Sequence, residues 1–147
     1  MFFENKFLVL TLILCNIYCV LSKTVSPLEK QSLVRLGRLR CTKHSVGGEI
    51  YVKDYNTLVL ENFTYDGHAP DAFFYVGTKN TLPNSHGIRI QYPPGSNEPL
   101  RKFNGERVEI KLPNGLSLRD ITWFSVWCRA YAVNFGDVLF YSRNRIC

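Results

Sequence analysis

Glycine and proline are sparse, ten and seven in 147 residues, too few for a collagen-like or low-complexity chain. No apolar run reaches the about 20 residues that a membrane-spanning helix needs. No long stretch keeps a 3.6-residue apolar period, and there is no internal repeat, so a mostly helical fold is not expected. A Gly-rich phosphate loop, a G-x-S-x-G nucleophile elbow and an H-E-x-x-H helix are all missing, which excludes the ordinary nucleotide-binding, serine-hydrolase and zinc-protease readings. Histidine is limited to His44, His68 and His86, each beside a turn and none with a second His or Cys at zinc-finger spacing. Cys41 and His44, three apart, would still need two further zinc ligands.

What is present belongs to a folded domain. Hydrophobic residues make up 46% and aromatics 14% of the chain, enough for a core and too many for disorder. The length suits one compact domain. Lys and Arg number 18 against 12 Asp and Glu, an excess of +6. Phe7 to Leu21 (FLVLTLILCNIYCVL) is an apolar run of 15 residues interrupted by Thr11 and Asn16, short for a membrane anchor. With Lys6 before it and a polar SKTVS after it, this is the pattern of a secretory signal peptide. Cleavage after Ser22 is expected, with cleavage after Cys19 the alternative.

The expected organisation is a leader at 1–22, an N-terminal extension at 23–35, a domain at 36–141 and a tail at 142–147, secreted and without a transmembrane anchor. Lys6 and Glu4 leave together, so the +6 excess is unchanged in the remaining chain of about 125 residues. Cys15 and Cys19 leave as well, so Cys41, Cys128 and Cys147 remain, an odd number for an oxidising compartment. Asn62-Phe63-Thr64 is the only glycosylation sequon. An excess of positive charge outside the cell favours acidic glycans or acidic extracellular proteins and disfavours nucleic acid. Arg35, Arg38, Arg40 and Lys43 fall within nine residues, and Arg143 and Arg145 lie in the tail.

Ser26, Pro27 and Glu29 give one helix-start signal, for a short helix within Thr24 to Leu36. The remainder reads as strands: EIYVK (49–53) and NTLVLE (56–61) as a hairpin about Asp54-Tyr55, then AFFYV (72–76), GIRIQY (87–92), RVEIKL (107–112), ITWFSVWC (121–128) and DVLFY (137–141). Clusters of Gly, Pro, Asn and Asp separate them. An all-β domain of about seven to nine short strands, a sandwich or barrel, is the expected fold. In the strand 121–128, Trp123, Ser125 and Trp127 share one face and Phe124, Val126 and Cys128 the other. Both faces are largely apolar, which predicts a central strand and a Cys128 close to the core. A thiol in apolar surroundings is ordinarily inert, so the residues alone favour a structural Cys128 or half a disulfide. Asp66, His68 and Asp71 could supply a cation or acid–base site; the commoner use of such a stretch is a turn, with Gly67 giving an unusual dihedral and Pro70 fixing the exit.

Three stretches carry a family resemblance. Leu36, Arg40, Cys41, His44, Val46, Gly48, Glu49, Ile50 and Tyr51 come first, then FTYDGHAPDAFFYVG, then LPNGLSLRDITWFSVWCRAYAVNFGDV. Together they resemble the DM-thirteen domain, the Skeletor-type extracellular module of animal proteins, over about Leu36 to Tyr141. Tyr65, Asp66, Gly67, Pro70, Asp71, Trp123, Ser125, Val126, Trp127, Cys128, Asn134, Phe135, Gly136 and Asp137 stand where the family pattern puts them, whereas Ala69 replaces a common Gly. The resemblance implies a β-rich domain that often accompanies a DOMON domain or b-type cytochrome segments. It also implies a proposed redox role for the cysteine at Cys128. Cys41, although it stands within the first stretch, and Cys147 look like additions to the family pattern. Paired with each other they would leave Cys128 free; Cys41 paired with Cys128 would remove that thiol.

The leading expectation is a secreted, non-enzymatic binding or matrix-associated module with no resident cofactor or metal, touching its partner through the basic face and through Tyr65 and Tyr92. The alternative is a redox accessory in which Cys128 serves a haem or disulfide partner supplied in trans, a DOMON or b-type cytochrome protein. A metal-dependent enzyme using Asp66, His68 and Asp71 is the third reading.

Overall fold

A computed structural model describes residues 33–79 and 81–140. The leader, the expected helix up to Ser32, Arg143, Arg145 and Cys147 lie outside the described residues. Nine strands form: β1 (Val34–Arg38), β2 (Arg40–Cys41), β3 (Gly47–Asp54), β4 (Thr57–Tyr65), β5 (Ala72–Gly77), β6 (Ile88–Ile90), β7 (Phe103–Lys111), β8 (Trp123–Cys128) and β9 (Val133–Leu139). They build two antiparallel sheets, ordered β1-β3-β4-β7 and β2-β9-β8-β5-β6. The all-β sandwich expectation is met. Val34 to Leu36, assigned above to the end of a helix, lie instead in β1, where Val34 and Arg35 pair with Val52 and Tyr51 of β3.

Local chemistry explains the elements. The β3–β4 hairpin closes over Tyr55 and Asn56, with the Asn56 N–H donating to Asp54 Oδ1 at 3.0 Å, an Asx turn that fixes the register of Asp54 opposite Thr57. β8 lies between β5 and β9, every residue of it buried, as its two-sided apolar pattern requires. Phe124, Val126 and Cys128 join the core between the sheets, while Trp123 and Trp127 pack with Phe73 and Tyr75 on the other side. Between the sheets Phe63 meets Phe74 at 5.5 Å and Phe103 at 5.0 Å, centroid to centroid. Such pairs add about 0.5–1.5 kcal/mol each beyond the burial itself.

One irregularity in β4 positions the site. The β4–β7 register slips between Leu60 and Phe63, and Asn62 takes a left-handed φ of 52°. Leu58 and Leu60 point inward; without the bulge Asn62 and Thr64 would follow them. With it, Phe63 and Tyr65 turn into the core and Asn62 is left exposed.

Candidate functional site

The residues singled out from the sequence divide between two places. In the first, His44, the Tyr65–Asp66 pair and Phe135 converge from three separate segments, and Cys128 of β8 lies near enough for its charge to act on Tyr65. His44 sits in the turn between β2 and β3 with a left-handed φ of 58°. Its Nδ1 lies 3.1 Å from both carboxylate oxygens of Asp66, which follows β4. The Asp66 backbone N–H donates to the His44 carbonyl at 3.1 Å, so chain and side chain bind the two turns together. The imidazole rests on Phe135 of β9 at 4.3 Å and faces Tyr65 at 6.3 Å; Tyr65 stacks on Phe135 at 6.4 Å. The His44 side chain is 29% exposed, whereas Phe135, Tyr65 and Cys128 are all buried.

Partial burial pushes the Asp66 carboxyl up, but the His68 N–H at 2.9 Å and the bond and charge of His44 outweigh it and hold Asp66 below its ordinary range. Burial raises the Tyr65 phenol. The Ala69 N–H donated to its oxygen at 3.2 Å opposes this, and the charges of Asp66 and Cys128 add to the rise. Gly67 makes the turn possible: its φ is +77°, and a Cβ would come within 2.8 Å of the Lys102 backbone nitrogen.

The second place is the outward side of β8 and β9. Ser125 Oγ donates to Asn134 Oδ1 at 2.9 Å, and Asn134 Nδ2 donates to Asp137 Oδ1 at 3.2 Å. Arg40 donates to the fully buried Asp137 at 2.7 Å. Thr42 Oγ1 caps the Asn134 carbonyl at 2.6 Å. This network accounts for Asn134, Gly136 and Asp137 as fasteners of β2 on β9. Gly136 leaves no room for a side chain against Val46 and the Arg40 carbonyl.

Several expectations need correcting. Tyr65 is the buried last residue of β4 and Tyr92 is half-buried, packed on Phe74 at 5.5 Å and Phe103 at 6.0 Å, so neither is a free loop contact. Asp71 forks onto Arg129 at 2.9 and 3.0 Å while Asp66 serves His44, so Asp66, His68 and Asp71 do not converge on one ion. Pro70 and His68 are exposed beside them. The basic face is partly neutralised, Arg35 by Glu49 at 2.9 Å and Arg40 by Asp137. Cys41 and Cys128 are both free thiols, the first exposed and the second buried. Cys41 lies opposite Gly136 and Gly136 opposite Val126, so Cys128 is two strands across and two residues along, about 12 Å away. A disulfide needs about 7 Å or less. The pairing with Cys147 falls outside the described residues.

Phe73 and Tyr75, which wall Trp127, were not singled out from the sequence; their place in an unbroken apolar run gave no sign of a face.

The profile of the family described as "Electron transfer DM13" matches residues 38–140. Protein Skeletor, isoforms B/C, of Drosophila melanogaster is 43% identical over 105 residues, covering 71% of this chain and 13% of that protein. Isoforms D/E are also 43% identical over 105 residues, 7% of their length. The chain therefore spans only a small fraction of these curated relatives. No solved structure matches.

Proposed function

This chain belongs to the DM13 family, and from that membership we propose that it is a secreted, non-enzymatic electron-transfer module working with a haem-bearing partner supplied in trans. The observation that carries the reading is the ring cluster of His44, Phe135 and Tyr65, part-exposed at His44 and buried at Tyr65, whose phenol feels the charge of Cys128. These residues are distant in sequence and meet in one place. A thiol with no exposure is closed to thiol–disulfide exchange, which needs a sulfur that another sulfur can reach. Electron tunnelling needs no such access, only a short packed path, and the aromatic rings supply one. In each passage one electron leaves a reduced haem and one reaches an oxidised acceptor by tunnelling through these rings, none of which is itself oxidised or reduced, so no covalent bond in the domain changes. His44 and Asp66 mark the docking end. Secretion is consistent with the apolar leader and with Asn62, whose exposed position on the β4 bulge leaves it open to a glycan.

The exposed Cys41 makes the test practical. In a Cys147→Ser background, a ruthenium photo-oxidant is attached to Cys41, and reduction of photogenerated ruthenium(III) by an added reduced b-type cytochrome is followed by transient absorption. Tyr65→Leu and Phe135→Leu, which take rings out of the path, should slow it tenfold or more, and Tyr55→Phe, at an exposed site away from the path, should leave it unchanged. Equal rates in all of them would exclude the path.

A further inference from the structure

Between β6 and the end of β7, outer strands of the two sheets, lies a cleft of about 380 Å³. Arg89, Gln91 and Pro94 line it from β6 and the turn that follows, and Lys111, Pro113 and Asn114 from β7 and the turn that follows. Both turns are closed by their own backbone. The Ser96 N–H donates to the Pro93 carbonyl at 2.9 Å about Pro94 and Gly95, and the Leu116 N–H to the Pro113 carbonyl at 3.1 Å about Asn114 and Gly115. Each glycine has a φ of 85°, as the third position of a type II turn requires.

The cleft is cationic and unneutralised. No Asp or Glu lines it. Glu109, the nearest acid to Lys111 along β7, is taken by Lys53 at 2.7 Å, and neither Lys111 nor Arg89 has an ion partner among the described residues. Arg89 is nonetheless held: it donates to Asn97 Oδ1 at 2.7 Å, and its guanidinium lies 4.9 Å from the centroid of the Phe73 ring. The Asn114 carboxamide is exposed and has no partner among the described residues. Arg89 also offers its backbone. The Arg129 N–H donates to the Asp71 carbonyl, so the odd-numbered residues of β5 turn their backbone groups to β8 and the even-numbered ones to β6. Ile88 and Ile90, opposite Val76 and Phe74, therefore take the bonds of β6, and the N–H and carbonyl of Arg89 face the open edge.

We infer that this cleft binds an acidic polysaccharide, its sulfates or carboxylates drawn to Arg89 and Lys111 and its hydroxyls met by the carboxamides of Gln91 and Asn114, which both donate and accept. An acidic peptide is the poorer fit. Ile90 and Leu112, at the base of the cleft, are 2% and 3% exposed, so no apolar pocket opens for an anchoring side chain. One open backbone pair holds no added strand in register. The site is remote from the rings around His44: β7 runs from Phe103, opposite Tyr65, to Lys111, opposite Thr57, about 26 Å along the strand. A domain retained on a sugar chain by this end keeps its ring cluster free, and the site stands whether or not electrons pass there.

The test is calorimetric titration of the protein with a heparin hexasaccharide and with a hyaluronate hexasaccharide, the tighter binder naming sulfate or carboxylate as the anion. Lys111→Gln, at an exposed position, and Arg89→Gln should each weaken binding about fivefold, the worth of one exposed charge pair. Lys102→Gln, exposed just before the opposite end of β7, should leave it unchanged. Added salt should weaken the parent's binding more steeply than that of Lys111→Gln. No binding of either hexasaccharide, an affinity unchanged in Lys111→Gln, or an equal loss in Lys102→Gln overturns the site. A tetraglutamate peptide that binds as tightly as the sugars reassigns the cleft to protein and overturns the proposal; inorganic sulfate that does so marks an adventitious ion only and overturns it as well.

Discussion

Replacing Gly77 by alanine isolates the packing of Trp123. The backbone at Gly77 lies outside the left-handed region, so alanine carries no conformational penalty there and any cost must be steric. A Cβ at this position would fall closer than 3.0 Å to Cε2, Nε1 and Cζ2 of the Trp123 indole. Carbon–carbon contacts are optimal at about 3.5–4.0 Å, so the ring would have to retreat by more than about 0.5 Å. The adjoining Cζ2 and Cη2 lie against Gly87, so two glycines already close on this edge of a ring that is 1% exposed. Overpacking of this kind costs about 1–3 kcal/mol, and expelling a buried tryptophan about 3–5 kcal/mol. We expect about 3 kcal/mol for Gly77→Ala. In a domain of this size that is a fall of about 12 °C in Tm, measurable by circular dichroism or calorimetry. In a Trp123→Leu background Nε1, Cε2 and Cζ2 are gone, so the same substitution should cost less than about 1 kcal/mol, and the double-mutant cycle should return the difference as coupling. A Gly77→Ala protein that melts within about 2 °C of its parent would refute the reasoning; so would a penalty that persists unchanged without the indole.

Asn134→Ala should cost about 2–4 kcal/mol in urea unfolding, since it strips Ser125 of its acceptor and the buried Asp137 of a donor; a loss under about 1 kcal/mol would contradict the network. Acid should destabilise the domain. Asp66 is held below its unfolded value, so its stabilising contribution is complete above the ordinary carboxylate range and is lost as pH falls through the folded value. Asp54 and Glu109 behave alike. Tm should therefore drop on acidification below about pH 4, less steeply in Asp66→Asn, and a flat profile would contradict this. In a Cys147→Ser protein, a maleimide should label Cys41 at once and Cys128 only at the rate of unfolding; prompt labelling of both would show that the core opens at β8.

The central strand was legible because its pattern is local. Alternation from Trp123 to Cys128 assigned both faces, and the burial of Cys128 followed from it. Tyr65 was misread for an equally local reason. It stands beside a turn-rich stretch, and only the bulge at Asn62, which reverses the parity of β4, turns it inward. β2 left no signal, because two residues have no period and its pairing depends on β9, almost a hundred positions later. The contact of His44 with Asp66 and Phe135 likewise spans 22 and 91 positions, and no window of sequence contains it. The glycines over Trp123 gave no motif, since what they exclude is a side chain that the fold brings to them.

The outer strands of both sheets bear on how the molecule behaves among its own copies. The five-stranded sheet ends in β2, with two residues, and β6, with three, each too short to template another strand. The four-stranded sheet ends in β1, whose register breaks between Arg35 and Gly37, and in β7, which carries Glu106, Arg107, Glu109 and Lys111. Every border is thus truncated, bent or charged, the devices by which natural sheets resist joining edge to edge. A β-rich domain built in this way tolerates crowding without growing into fibres, and its associations are left to its faces and loops.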